Sequence, residues 1–276
     1  MNIIKNIFSL LVLSLALYSC TSETEEPIEK EFENYQLVDS FESDQYLIEI
    51  LSLTGDFRTG YNDLILHITK DGKDASNLNP EWIHIMNMMT KTHSGPKSKL
   101  TPISDAPGYY EGFLVFQMAN LDGSGWTLDI NPEPEVNLAQ EITVINADQR
   151  TVYVFTATDQ EKYILTYISP NQPEIAINNL TLGLFKMETM MSFPVVENFS
   201  LLSDPRMPSM DNHSSPNNTP LIYKEEDQNY QGNLSLTMSG LWNLNFILQN
   251  EQGEAIYGTE VTENNITSEL YLSLSF

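Results

Sequence analysis

One stretch of this chain occurs twice, and it restricts the fold more than any other feature. Residues 86–96 read MNMMTKTHSGP and residues 207–216 read MPSMDNHSSP, so each copy has Met-x-x-Met followed by His-Ser-x-Pro. The match continues downstream at a constant separation of 120 residues, through the pairs His93/His213, Tyr110/Tyr230, Gly112/Gly232 and Met118/Met238. A tandem similarity with this period predicts two copies of one domain, each as long as a small β-sandwich.

Strand signals fill both copies, and neither contains a convincing amphipathic helix. The first copy has predicted strands at residues 46–51, 64–69, 82–88, 110–118, 126–130, 141–145 and 151–156. The second has them at residues 163–168, 179–184, 195–202, 230–238, 242–248, 255–261 and 270–276. The pattern predicts an all-β protein with two tandem immunoglobulin-like antiparallel β-sandwich domains, at residues 42–158 and 159–276.

The N-terminus has the features of a targeting signal. A short basic start ending at Lys5 precedes an apolar stretch at residues 7–17, which is too short to span a membrane. The sequence LYSC that ends at Cys20 resembles the lipobox of bacterial lipoproteins, which implies a signal peptide at residues 1–19 and lipidation of Cys20. We therefore expect anchoring in the cell envelope, at the outer membrane, its periplasmic face or the cell surface. The alternative is an ordinary secretory signal with an unrelated cysteine.

Composition limits the partners and the chemistry. Residues 20–41 are polar and acidic and predict a tether. Acidic residues outnumber basic ones by 38 to 13, and a net charge of −25 disfavours nucleic acid as a partner. Cys20 is the single cysteine, so the chain can form no internal disulfide. No catalytic motif is present in the sequence, and we expect a protein that is not an enzyme.

The repeated stretch carries ligands for a soft metal ion. Thioether and imidazole groups together suit copper before zinc, calcium or magnesium. The candidate ligands are Met86, Met89 and His93 in the first copy and Met207, Met210 and His213 in the second. A straight strand would point Met86 and Met89 to opposite sides, so a shared site requires an irregular segment. The alternative is structural, because methionine also fills gaps in sandwich cores.

The second copy resembles the YtkA-like domain, an extracytoplasmic β-sandwich related in architecture to FixH-like and CopC-like domains. The resemblance rests on the segment from Met207 to His213, on Tyr230-Gln231-Gly232, and on the run from Met238 to Trp242. The first copy fits more loosely, because it lacks the proline, has one more residue before His93, and carries four extra positions within residues 119–125. By analogy with copper-binding relatives, the resemblance implies a copper-binding role.

Two further groups of residues leave alternatives open. His84, Met86 and Met88 share one face of a predicted strand, which allows a second small site; the alternative is a histidine that is hydrogen-bonded within the protein or exposed. Residues 187–191, METMM, suit either a copper contact or an apolar strand edge. For the whole protein, one hypothesis is copper handling with a copper-donor or copper-acceptor protein. The other is an adhesion or accessory module that binds a protein or a glycan without metal.

Overall fold

Strands with alternating buried and exposed residues build this protein. The computed structural model describes residues 32–276, so the predicted signal peptide, Cys20 and most of the predicted tether lie outside the described residues. Within that range there is no α-helix, and the one 3-10 turn described is Pro208–Met210. None of the helical structure in this range has the length and apolar character that a membrane span requires. The all-β prediction is confirmed.

The strands follow one another along the chain as β1 (Gln36–Glu42), β2 (Tyr46–Ser52), β3 (Phe57–Arg58), β4 (Gly60–Lys70), β5 (Lys73–Asp74), β6 (Glu81–Asn87), β7 (Thr92–His93), β8 (Thr101–Pro102), β9 (Tyr109–Phe116), β10 (Gly125–Asn131), β11 (Leu138–Ile142), β12 (Val144–Ile145), β13 (Val152–Thr156), β14 (Lys162–Ser169), β15 (Ile177–Lys186), β16 (Ser200–Met207), β17 (His213–Ser214), β18 (Leu221–Lys224), β19 (Asn229–Ser235), β20 (Leu241–Gln249), β21 (Ala255–Tyr257) and β22 (Tyr271–Ser275).

The first half is a sandwich of two antiparallel sheets. One sheet has the order β1-β2-β4-β9-β8, with β5 also paired to β4, and the other has the order β11-β10-β6-β7. A short parallel pair, β3 and β12, lies beside them. Buried side chains from both sheets, such as Ile48, Leu66, Trp126 and Leu128, form one apolar cluster. Burying such side chains supplies most of the favourable free energy of folding.

The second half repeats this strand order. The series β13-β14-β15-β19-β18 matches β1-β2-β4-β9-β8, and β22-β20-β16-β17 matches β11-β10-β6-β7. In the second half β18 also pairs with β16, so both series belong to one ten-stranded sheet. That sheet folds around a second apolar cluster, which includes Leu182, Tyr230 and Trp242.

Two segments differ from the sequence-based expectation. Strand β1 occupies the end of the stretch predicted as tether, because Phe41 is buried in the first core while its strand pairs with β2. Strand β13, predicted within the first copy, pairs instead with β14 in the ten-stranded sheet. Phe155 and Ala157 are buried in the second core, and this burial draws the segment to that side.

Residues 34–276 form one compact unit. A third apolar cluster joins the outer face of the first half to the second, through buried Val115, Ile164 and Phe185. The junction is also tied by hydrogen bonds, since the Thr151 hydroxyl donates to the Thr59 carbonyl at 2.8 Å. Gly60 lies beside this bond with φ of +101°, and an added Cβ would overlap the Thr151 hydroxyl.

Replacing Gly60 by alanine should therefore destabilise the fold through both strain and overlap. We expect G60A to lower the free energy of unfolding by about 2 kcal/mol or more, measured by urea denaturation. G72A is the matched control, because Gly72 has φ of +72° with open space around the missing Cβ. It should lose only the conformational part, about 1 kcal/mol. Equal losses in the two variants would contradict the steric argument.

Candidate metal-binding hairpins

Each Met/His stretch folds into a hairpin whose base pairs a methionine with a histidine. In the first, Met86 on β6 lies directly opposite His93 on β7. In the second, Met207 on β16 lies directly opposite His213 on β17. Residues opposite one another in an antiparallel ladder share a face, with Cβ atoms about 5 Å apart. The structure therefore brings one thioether and one imidazole together at the same position of both halves.

The remaining predicted ligands lie at the hairpin tips. Met89 is 92% exposed, in a turn closed by a hydrogen bond from the Met88 amide to the Lys91 carbonyl. Met210 is 52% exposed, in the 3-10 turn that ends at Asp211 with a left-handed backbone. Both tips are the irregular segments that the hypothesis required. Met89 nevertheless points into solvent, whereas Met86 is fully buried.

Trp126 and His93 flank Met86 on the two neighbouring strands. Trp126 on β10 is the neighbour of Met86 on the side away from His93. Adjacent strands are about 4.8 Å apart, so residues two strands apart are separated by about 10 Å at the backbone. The rings of His93 and Trp126 are nevertheless only 5.6 Å apart. Both rings therefore lean toward each other across the Met86 position.

The tautomer of His93 is set by its neighbour. His93 Nδ1 donates to the Ser94 carbonyl at 2.7 Å, which leaves the lone pair on Nε2. Ser94 is held in turn, because its carbonyl also accepts from Gln117 Nε2 at 3.2 Å and its amide donates to the Met190 carbonyl at 2.8 Å. The METMM segment thus lies beside the first hairpin, with Met190 46% and Met191 48% exposed.

His84 occupies the same face of β6, two residues before Met86, and is completely buried. Its Nε2 donates to the Val115 carbonyl at 3.1 Å, and its ring stacks on Trp126 with centroids 5.2 Å apart. Burial lowers the pKa of this imidazole from 6.5 to about 3, and the charges of Lys97 and His93 act in the same direction. His84 Nδ1 is buried without a hydrogen-bond partner. The alternation of residues in β6 predicted from sequence that His84 lies on the same face as Met86. It did not predict the unpaired nitrogen.

The second hairpin is more open. Met207 is buried, and its methyl group would lie 3.1 Å from a Cβ added at Gly240. His213 is exposed, in contrast to the partly buried His93. Pro205 takes the place of His84, because it pairs with Leu244 on β20 as His84 pairs with Leu128 on β10.

The corresponding tryptophans of the two halves make the same kind of hydrogen bond. Trp126 Nε1 donates to the Met118 carbonyl at 2.9 Å, and Trp242 Nε1 donates to the Met238 carbonyl at 3.0 Å. Met118 and Met238 are partly buried against the two cores, which agrees with a structural role for both.

No known family model matches the chain, and no curated protein matches its sequence significantly. Within residues 32–276, no three side chains of the types His, Cys, Asp and Glu are grouped to hold a metal ion. At the hairpins the donors present are imidazole and thioether, which together favour copper.

The different burial of Met86 and Met89 predicts different costs of removal. M86A should lower the free energy of unfolding of the metal-free protein by about 2–5 kcal/mol, because it leaves a cavity in the core. M89A removes an exposed side chain and should change stability by less than about 0.5 kcal/mol. Both values are measurable by urea denaturation in the presence of a chelator. A large loss in M89A would show that the tip packs against the protein.

The low pKa of His84 predicts an acid-sensitive fold. Above pH 6.5 the imidazole is neutral in both the folded and the unfolded chain, so it adds no pH dependence. As the pH falls from 6.5 toward 3, the unfolded chain binds a proton that the folded chain excludes. Stability should then fall by up to about 1.4 kcal/mol per pH unit from this group alone.

H84Q keeps an N–H donor for Val115 but removes the titration. We expect the difference in unfolding free energy between the original protein and H84Q to shrink as the pH falls below 6.5. Urea denaturation at several pH values measures it. A difference that stays constant down to pH 4 would contradict the buried neutral state.

Proposed function

We propose that this protein is a lipid-anchored, extracytoplasmic copper-handling protein, with one site in each Met/His hairpin. The observation that carries the proposal is the pairing at the hairpin bases, where Met86 faces His93 and Met207 faces His213. Two equivalent hairpins with the same pair of donor types are economical to explain as binding sites. Cores need methionine to fill space, but they do not need an imidazole opposite it.

The chemistry of the donors favours Cu(I). Thioether sulfur is a soft, neutral ligand, and neutral imidazole binds copper as well, so a thioether–imidazole set suits a soft monovalent ion. The exposed Met89 and Met210 at the tips offer further thioethers to an incoming ion. They also suit transfer to or from a copper-donor or copper-acceptor protein, because they lie on the surface.

The N-terminal sequence supports the location. Residues 1–19 and Cys20 have the pattern of a lipoprotein signal with its lipidated cysteine, and several acyl chains would anchor the protein firmly. Membership of the YtkA-like family is part of the proposal and rests on the sequence resemblance of the segment from Met207 to His213 and of the run from Met238 to Trp242. The copper would then be held outside the cytoplasm, at the outer membrane or the cell surface.

The test is a titration of the full-length protein in detergent with Cu(I), under anaerobic conditions, against a chromophoric chelator. We expect two tight equivalents and weak Zn(II) binding. H213A should retain one equivalent, because it lacks only the imidazole of the second site. H93A/H213A should retain none, because it lacks the hairpin imidazole of both sites. Both variants change side chains that are not fully buried, so the fold should survive.

H67Q is the matched control and should keep both equivalents, since His67 is hydrogen-bonded to Glu49 and Asp74 on another face. Retention of both equivalents in H93A/H213A would overturn the assignment of the sites. No tight Cu(I) binding by the original protein would overturn the proposal and favour the adhesion or accessory hypothesis.

A further inference from the structure

The buried His84 is the feature that the hairpin pairs leave unexplained. Its Nε2 donates to a carbonyl, so in the neutral ring the lone pair is on Nδ1. That nitrogen is buried and has no hydrogen-bond partner. A buried acceptor left unpaired is destabilising, and such a group in a native fold calls for an explanation such as strain, a functional role, a bound water or an ion.

A second imidazole lone pair lies nearby. His93 Nδ1 is occupied by the Ser94 carbonyl, so Nε2 is the nitrogen available for a ligand. Both histidine rings contact the same indole, since His84 stacks on Trp126 at 5.2 Å and His93 meets it edge-on at 5.6 Å. The two neutral histidines are thus opposite tautomers, and both contact Trp126.

Met86 lies between these two imidazoles. It follows His84 by two residues on the same face of β6, and it is directly opposite His93 on β7. Its side chain is fully buried. One thioether and two imidazoles therefore lie in one cluster beside Trp126, and the partly exposed His93 borders solvent.

We infer that the first half binds one Cu(I) ion through His84 Nδ1, Met86 Sδ and His93 Nε2, with Met89 outside the ligand set. This inference rests on the proposed function and specifies its first site. The three donors, two imidazoles and a thioether, are neutral. They suit a soft monovalent ion, because they carry no negative charge that would balance the charge of a divalent ion. Hydrogen bonds to Val115 and Ser94 orient the two rings, as carbonyl partners do for metal-binding histidines.

The second half cannot form the same set. Pro205 stands where the first half has His84, so the second hairpin offers one imidazole and the thioethers of Met207 and Met210. The two sites therefore differ in chemistry, with two nitrogens and one sulfur in the first half and one nitrogen and two sulfurs in the second. They also differ in burial, because His213 and Met210 are exposed.

The test is imidazole NMR on the full-length protein labelled with ¹⁵N-histidine, in detergent, titrated anaerobically with Cu(I). The background carries M210A/H213A, which removes two exposed donors of the second site. We expect the Nδ1 signal of His84 and the Nε2 signal of His93 to shift together and to saturate at one equivalent. The signals of His67 should not move.

Two variants on that background separate the candidate ligands. H84Q should weaken Cu(I) binding about tenfold or more, since it removes a ligand but keeps a donor for Val115. M89A should bind as the background does. Melting curves without copper verify that H84Q is folded, and the NMR readout does not depend on that variant.

The outcomes distinguish the inference from the proposed function. Cu(I) binding that shifts His93 but leaves His84 Nδ1 unchanged would overturn the inference and leave the proposed function intact. The same holds if M89A, and not H84Q, weakens binding. Absence of Cu(I) binding by the original protein would overturn both.

Discussion

A buried indole must donate its N–H, and in this protein that requirement is met at the same place twice. Trp126 and Trp242 are each buried in an apolar core and donate to the carbonyl of a methionine, eight residues earlier for Trp126 and four residues earlier for Trp242. Without this hydrogen bond, each core would contain an unpaired N–H donor, which would lower the stability of the fold. The bond ties each tryptophan, the second residue of β10 or β20, to the segment that precedes its strand.

The register of β10 decides what its neighbour presents to the core. Because Trp126 is paired with Met86, the strand β6 turns Trp82, His84 and Met86 inward and leaves Asn87 outside. A shift of one residue would exchange these faces completely. The hairpin that follows then returns His93 to the row of Met86 and Trp126. The side chains of the candidate site are thus positioned by the same strand pairing that packs the core.

Part of the architecture could be predicted from sequence because the repeated residues are those that pack. Strand periodicity was enough for an all-β fold, whereas the hairpin formed by each Met/His stretch was not predicted. The placement of β13 was not predicted, because the sequence does not show in which core Phe155 is buried; the structure places it in the second. The third apolar cluster did leave a signal. Leu114, Val115 and Phe116 are consecutive apolar residues, and such a run indicates a strand that is covered on both faces.

The candidate site could be predicted only in part, because the spacing of residues in the sequence does not determine where a side chain points in a turn. Met89 and Met210 occupy equal places in the motif, but the turn in the first copy has one more residue. That residue lets Met89 extend into solvent, while the proline-led 3-10 turn holds Met210 closer to the protein. Sequence similarity between the copies therefore overstated their equivalence. The difference that matters more chemically is His84 against Pro205, which lies outside the motif. Strand alternation placed His84 beside Met86, but its complete burial and its unpaired nitrogen are visible only in the structure.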